Sequence, residues 1–456
     1  MKIAVIGTGY VGLVSGTCFA ELGFNVICVD KDKRKVASLQ QGIVPIYEPE
    51  LEELIKKNVA AGRLHFSDNL SESIQGAEVI SIAVGTPTRK QDGNADLTYV
   101  YNVAREVASS LKHYAVVVTK STVPAGTNQE IKRIIQTANS KAEFDIASNP
   151  EFLREGSAVD DFLNPERVVL GTETKRAQEV LARLYAPIEA KGSVILHTDI
   201  TSAELIKYAS NTFLATKVSF INEMADLCEK VGGNIEDVAR GMGTDSRIGM
   251  RFLAPGPGYG GSCFPKDTLA MVHIGERALS PITIVEAVIA VNRSRPHRMV
   301  AKVIDAAGGN VRGKNIALLG LAFKANTDDV RDSVAIIIAE ELARHGANIV
   351  AYDPKGMPHT KEILGDLITY VDSTDAALTG ADLCVLATEW KEFAQLTPER
   401  IIESLKQPLL IDLRNLFDPQ IMAEAGVIYH SVGRQFICPV EVKKQIEAKN
   451  NSQKVA

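Results

Sequence analysis

The sequence predicts an α/β protein built from two doubly wound domains of parallel sheet, joined by a long central helix and a helical middle domain. Three observations lead there. Short β-branched runs alternate with helical stretches from residue 1 to about 200, the same rhythm returns from Lys314, and an uninterrupted helical pattern lies between them. The strand segments are nearly all apolar instead of alternating with polar residues, as expected where helices cover both faces of a sheet.

The first domain is read over 1–200, with strands at 3–6, 26–30, 78–84, 115–120, 145–148 and 167–170. Its opening strand runs directly into Gly7-Thr-Gly-Tyr-Val-Gly12 at the start of a helix. In that setting the glycines provide a tight turn, room for a pyrophosphate and close helix packing, the fingerprint of a dinucleotide-binding Rossmann domain. Asp30 closes the second strand, where a carboxylate accepts hydrogen bonds from the adenosine ribose and repels a 2′-phosphate, which favours NAD over NADP. The neighbouring Lys31, Lys33, Arg34 and Lys35 would tolerate a phosphate, so the preference for NAD rests on Asp30. Two further strand ends carry small polar turns, Val84-Gly-Thr-Pro-Thr88 and Lys120-Ser-Thr-Val-Pro124, expected to border the nicotinamide half of the cofactor.

Residues 201–231 form one helical stretch that lacks proline and stops at Gly232-Gly233. About 30 helical residues extend ~45 Å, too long for a crossover and suited to linking two lobes and to self-association. A middle domain over 201–310 is therefore expected to be helical, broken by the glycine- and proline-rich loop 255–265. The α/β rhythm returns over 311–440, with strands at 316–319, 349–353, 383–387 and 409–412 and a helix at 334–345. Its first turn, Gly320-Leu-Ala-Phe-Lys, keeps a single glycine of the fingerprint, so a related fold with a different nucleotide is expected. The polar stretch 441–456 reads as a helix remnant fraying into a tail.

Composition narrows the function class. The 456 residues are 45% hydrophobic and 23% charged, enough for more than one core, and the net charge is −6. No broad basic field is present to hold nucleic acid or an anionic membrane, which leaves small-molecule chemistry. The chain opens on strand-like Met1-Lys-Ile-Ala-Val-Ile-Gly without a charged leader, and no apolar run approaches the ~18 residues of a membrane span, so a cytoplasmic protein is expected. Its six cysteines form no C-x-x-C pair, against a disulfide framework or a metal site. Five read as core residues.

The sixth, Cys263, follows four glycines and precedes a lysine and an aspartate in Gly256-Pro-Gly-Tyr-Gly-Gly-Ser-Cys-Phe-Pro-Lys-Asp267. Glycines let backbone approach a ligand closely, and a nearby lysine favours the thiolate, the nucleophilic form. Lys207 and Asn211 lie four apart on the long helix and suit stabilisation of an alkoxide, although spacing alone favours two solvated surface residues. Glu151 and Glu155, in Asn149-Pro-Glu-Phe-Leu-Arg-Glu155, read either as water-handling carboxylates or as helix-start acids.

GTGYVG, VGTPT, KSTVPAGT, SNPEFLREG, LIKYASNTFLATKVSFINE, GYGGSCFPKD and GLAFKANTDDVRDS occur in this order, and together they resemble the UDP-glucose/GDP-mannose dehydrogenase family, its UDP-glucose 6-dehydrogenases above all. The resemblance runs from about residue 1 to 435 and implies oxidation of UDP-glucose to UDP-glucuronate by two hydride transfers to two NAD molecules, through a thiohemiacetal and a thioester on Cys263. It implies that Lys207 and Asn211 hold the oxyanion, that Asp267 helps activate water for hydrolysis, and that Thr122 and Glu151 position or activate a water. For NAD it implies Gly7, Gly9, Tyr10, Val11, Gly12, Asp30, Lys35, Thr86, Ser121, Glu155, Lys266 and Arg331. For the nucleotide sugar it implies Phe152, Leu153, Lys207, Asn211, Arg247, Phe252, Tyr259, Gly260, Cys263, Phe323, Lys324 and Arg414, with the UDP moiety in the second Rossmann-like domain. Tyr259 stands where phenylalanine is commoner. The long helix itself, by the face it offers for self-association, leads to the expectation of a homodimer.

Covalent retention of the aldehyde also follows from chemistry, since one NAD accepts one hydride and an acid requires two oxidations. Three rivals stand beside this reading: the same chemistry on GDP-mannose or UDP-N-acetylmannosamine, a two-electron hydroxyacid dehydrogenase, which has no use for Cys263, and a non-catalytic nucleotide-binding protein.

Overall fold

The computed structural model describes residues 1–89, 93–437 and 439; the tail expected over 441–456 and Cys438 lie outside the described residues. The chain divides into two compact units, Met1–Asn211 with Leu269–Ile282, and Thr212–Thr268 with Thr283–Ala456.

The first unit is built on eight strands: β1 (Lys2–Ile6), β2 (Asn25–Val29), β3 (Leu64–Ser67), β4 (Val79–Ile82), β5 (Ala115–Thr119), β6 (Phe144–Ser148), β7 (Arg167–Thr172) and β8 (Val194–Thr198). Their order in the sheet is β3-β2-β1-β4-β5-β6-β7-β8. All neighbours pair parallel except β6 and β7, which are antiparallel. Alternate residues of one strand enter different cores: Ile3 and Val5 join one cluster, Ala4 and Ile6 another. This is why the strands read as continuous apolar runs. The sequence pattern misses β3, whose Leu-His-Phe-Ser is half polar, and β8, an edge strand that leaves Val194 and Leu196 exposed.

In the second unit, β9 (Asn315–Leu319), β10 (Asn348–Tyr352), β11 (Thr369–Tyr370), β12 (Leu383–Leu386), β13 (Leu409–Asp412) and β14 (Ile428–His430) form a sheet of order β11-β10-β9-β12-β13-β14. Every pairing is parallel. β11 and β14 are two and three residues long, too short for a periodicity to register. The long helix is Ile200–Val231, 32 residues without a break. Further helices at Ile235–Gly243, Phe264–Arg277 and Thr283–Ala306 fill the middle of the chain, which joins the two Rossmann-like domains. Among the described residues no helix is long and apolar enough to cross a membrane.

The two sheets share one device where strand order reverses. Gly7, at φ +103°, donates its N–H to Val29 O at 2.7 Å, and Gly320, at φ +98°, donates to Tyr352 O at 2.8 Å. A side chain at Gly7 would meet Ala83 O, and one at Gly320 would meet Thr388, so both turns require glycine. In each domain an aspartate just past the second strand reads the turn. Asp30 accepts Thr8 N–H at 3.0 Å, and Asp353 accepts Leu321 and Ala322 N–H at 2.7 and 3.0 Å. Asp353 is fully enclosed, however. It also takes the indole N–H of Trp390 and the N–H groups of Lys355 and Gly356, which leaves no lone pair facing outward for a ribose.

Asp353→Ala would strand four buried donors, each costing about 1–3 kcal/mol when unsatisfied, besides the more exposed Lys355 N–H. The substitution is expected to lower the denaturant midpoint of the second domain markedly, followed through the fluorescence of Trp390, the chain's one tryptophan. An unchanged midpoint would remove Asp353 as the organiser of that turn.

Candidate active site

The glycine turn divides its labour as the fingerprint requires. An added Cβ at Gly12 would lie 2.0 Å from Gly7 O, whereas one at Gly9 would meet nothing within 4 Å. Gly9 is thus the open position, immediately before the helix Tyr10–Glu21, where backbone N–H groups and the helix dipole favour a phosphate. Tyr10 and Val11 begin that helix, and the Tyr10 hydroxyl is hydrogen-bonded to Glu48. Asp30 Oδ2 accepts the Thr8 hydroxyl at 2.7 Å and pairs with Lys35 at 3.5 Å. Burial pushes the Asp30 carboxyl up, but the Thr8 hydroxyl, two backbone N–H groups and Lys35 together hold it below the usual carboxylate range. Lys33 meets Asp68 at the surface, so the basic cluster is partly neutralised. These residues fit NAD: the turn is open where the pyrophosphate must come close, and the acid is ionised and aimed by the turn itself.

The turns after β4 and β5 are stitched together. Thr86 Oγ1 donates to Thr122 O at 2.9 Å, and Ser121 Oγ donates to Val84 O at 2.7 Å. After β6, Glu151 is buried; its Oε2 accepts Leu153 N–H at 2.6 Å and its Oε1 accepts the Lys207 ammonium at 3.1 Å. Lys207 and Asn211 are 3% and 6% exposed, which excludes the surface alternative for both. Phe152 is flanked by two cations, with the Arg167 guanidinium 3.9 Å and the Lys207 ammonium 5.3 Å from its ring centroid. Glu155 is buried close by in sequence.

In the second unit, Cys263 is partly exposed and directly precedes the helix Phe264–Arg277, where its carbonyl accepts Asp267 N–H at 2.9 Å. The start of a helix carries unpaired N–H groups and partial positive charge, a setting that favours thiolate. One turn on, Asp267 is fully buried and ion-paired with Lys266. The glycines before the cysteine serve the protein's own packing: a Cβ at Gly260 would lie 2.2 Å from Asp332 O, and one at Gly261 about 2.8 Å from the Phe323 ring. Tyr259 packs edge-on against Phe264, and its hydroxyl is hydrogen-bonded to Thr268, inside the protein. Phe252 adopts φ +66° and lies against Phe264 from another side.

Arg414 spans the carboxyl ends of three strands of the second sheet, donating to Phe323 O and Ala387 O at 2.8 Å each while its own N–H binds Asp412. The Lys324 ammonium stands 5.4 Å from the Phe323 ring centroid. These residues cluster at the strand-order switch, where doubly wound sheets bind ligands. Two of the expected residues turn their side chains toward solvent. Arg247, with a side chain 87% exposed, is held by Asp245, and the exposed Arg331 is held by Asp329.

Sequence reasoning overlooked Glu48 and gave Lys120 no role beyond opening the turn after β5. Buried Glu48 accepts N–H groups from Gly156 and Ala158 at 2.6 and 2.7 Å besides the Tyr10 hydroxyl, which ties the glycine turn to the Glu151 loop. Nothing in its neighbourhood signalled this. Lys120 is buried at the end of β5, with its ammonium on Asn149 Oδ1 at 3.1 Å and the Tyr185 hydroxyl at 3.5 Å. A lysine directly after the strand Ala-Val-Val-Val-Thr, apolar but for its last residue, was the available signal.

Burial is the main cause that pushes the Lys120 ammonium down to about 8, Glu151 opposing and Lys207 reinforcing the shift. Below that pH both folded and unfolded chains hold the proton. Between it and the ordinary lysine value the unfolded chain holds more protons, so stability must rise with pH. Wild type is therefore expected to gain stability relative to Lys120→Met as pH is raised from about 7.5 to 9.5 in denaturation experiments. A pH-independent difference would contradict this assignment.

Comparison with known proteins gives the family. Residues 1–189 match the NAD binding domain of the UDP-glucose/GDP-mannose dehydrogenase family, 201–294 its central domain and 317–419 its UDP binding domain. The chain is 51% identical over 436 residues to the UDP-glucose 6-dehydrogenase of Rhizobium meliloti, covering 95% of this chain and 100% of that one. It is 48% identical to a UDP-glucose 6-dehydrogenase of Bacillus subtilis, with 95% and 93% covered. Among solved structures, a UDP-glucose dehydrogenase from Pyrobaculum islandicum superposes with a TM-score of 0.88 at 38% identity, covering 95% of this chain and 98% of that one. The chain belongs to the UDP-glucose/GDP-mannose dehydrogenase family and is an NAD-dependent dehydrogenase.

Proposed function

We propose that the chain oxidises UDP-glucose to UDP-glucuronate in two successive two-electron steps, with Cys263 as the covalent anchor between them. The observation that carries this is the thiol at the head of the helix Phe264–Arg277 with buried Asp267 one turn along. Relatives of high identity that bear the UDP-glucose name support this sugar over GDP-mannose or UDP-N-acetylmannosamine.

NAD, when bound at the Gly9 turn, supplies the acceptor for one hydride in each oxidation. Lys207 and Asn211 stabilise negative charge on the reacting oxygen, and the Lys207–Glu151 pair fixes the ammonium while Glu151 serves water and proton movement with Thr122. The Cys263 sulfur adds to the aldehyde carbon to give a thiohemiacetal, and loss of hydride from that carbon leaves a thioester. Asp267 activates the water that releases the carboxylate and returns the thiol. Phe323, Lys324 and Arg414 take the UDP moiety, with Tyr259, Gly260 and Phe252 lining the sugar loop. Arg247 and Arg331, already braced by carboxylates, remain available for phosphate contacts.

The domain division at about residues 200 and 310 belongs to this reading, as does a cytoplasmic location, which suits the free thiols of Cys18, Cys28, Cys228, Cys263 and Cys384. So does a homodimer. Phe213, Phe220 and Leu227 recur every seven residues along the long helix and are exposed together with Val231, an apolar stripe that a second copy would cover.

Two NADH per UDP-glucose consumed are expected, and Cys263→Ala is expected to abolish uronate formation while NAD affinity stays within about twofold. One NADH per sugar, or normal uronate output from the variant, would defeat the reading. Phe220→Glu is expected to shift the sedimentation coefficient from dimer toward monomer; an unaltered coefficient would place the interface elsewhere.

A further inference from the structure

The loop 255–263 that delivers Cys263 has no regular secondary structure and contains glycines at φ +129° and +78°, Gly258 and Gly261. Fixing such backbone costs conformational entropy, and glycine loses the most freedom of all. A nucleophile on it would wander unless something outside the loop held it.

Polar side chains, those of Asn222 and Arg295 buried and that of Asn292 half-buried, do so at two peptides. At Gly256, the N–H donates to Asn222 Oδ1 at 2.8 Å, and the carbonyl accepts Arg295 Nε at 3.0 Å. At Tyr259, the N–H donates to Asn292 Oδ1 at 2.9 Å, and the carbonyl accepts Asn292 Nδ2 at 3.0 Å. Asn292 thus reads both polar groups of one residue, as a neighbouring strand would, and fixes the rotation of the loop as well as its distance. Asn292 and Arg295 lie three apart on the helix Thr283–Ala306 and share a face. Fully buried Arg295 is anchored in turn on Asp226 and on Asn222 O. On the far side, Gly261 N–H donates to Arg331 O at 2.9 Å. The clamped Tyr259 then packs on Phe264 and bonds Thr268, so the first turns of the helix that Cys263 directly precedes are tied to the same support.

We propose that Asn292 is a positioning residue for Cys263: its side-chain amide holds the Tyr259 peptide and thereby aims the thiol four residues later. The inference deepens the proposed function and rests on the nucleophilic role of Cys263. Packing alone has no need of an amide that engages both main-chain groups of one residue. Attack on carbon does, since misplacement by about 1 Å costs on the order of 100-fold in rate.

The test uses the full-length chain with Asn292→Ala, which removes both bonds, and Asn292→Asp, which keeps the acceptor for Tyr259 N–H but sets a carboxylate against Tyr259 O. Turnover is measured with UDP-glucose and NAD per folded chain, and Cys263 alkylation by iodoacetamide is timed against a Cys263→Ser blank. Both variants are expected to lose about tenfold or more in kcat with KM for NAD within twofold, and to alkylate at a rate at least threefold different from wild type. Wild-type kcat in either variant, or a loss that tracks the folded fraction alone, overturns the proposal. Should wild type form no uronate, the Cys263 reading fails by itself, and equal alkylation rates in wild type and Asn292→Ala would then reject the clamp separately.

Discussion

A carboxylate that accepts the N–H groups of the turn after the first strand organises both sheets of this protein. Asp30 does so for Thr8 and Asp353 for Leu321 and Ala322, each at the point where strand order reverses. The turn glycines pack against the neighbouring strand end so closely that no side chain fits, which brings the turn to the crevice where a ligand can lie. One device then serves two purposes. In the first domain the acid stays partly exposed beside an open Gly9, whereas in the second it is sealed by Trp390 and becomes purely structural. At the same end of the second sheet, Arg414 after β13 ties the Phe323 carbonyl after β9 to the Ala387 carbonyl after β12.

The polar burial elsewhere follows from the demand for charge in a dry site. Lys207 and Glu151 are almost wholly removed from water and paired, a state whose desolvation penalty is offset only by close geometry. Lys120 is buried on neutral partners, an arrangement that lowers stability at neutral pH and is retained where charge is used. Glu48 and Glu204 are of another kind. Each carboxylate collects backbone N–H groups: Glu48 from the Gly156 loop, Glu204 from Gly126 and Asn128 at the head of the helix Thr127–Ala138. Through Glu204 the turn of the long helix that leads to Lys207 is tied to the segment after β5.

The cysteine loop shows how a glycine-rich segment can be rigid. Two of its glycines, Gly260 and Gly261, are demanded by contact with Asp332 and the Phe323 ring, not only by access for a ligand, and the Gly256 and Tyr259 peptides are held by Asn222, Asn292 and Arg295. Composition suggested close approach to a ligand there; the surrounding residues show that the glycines also serve the protein's own packing. The same holds for Tyr259, whose hydroxyl is taken up by Thr268 inside the protein.

The sequence by itself determined the α/β class, the long helix to within a residue of its start, the glycine turn with Asp30, and Cys263 as the exceptional cysteine, because each depends on local periodicity or on residue types a few positions apart. Tertiary structure alone decided the antiparallel entry of β7, the short strands β3, β8, β11 and β14, and the burial of Lys207 and Asn211. It alone revealed Glu48, Lys120 and Asn292, whose partners lie tens of residues away. Those features depend on which backbone groups meet across the fold, and a hydrogen bond between distant segments leaves no period in the chain to read.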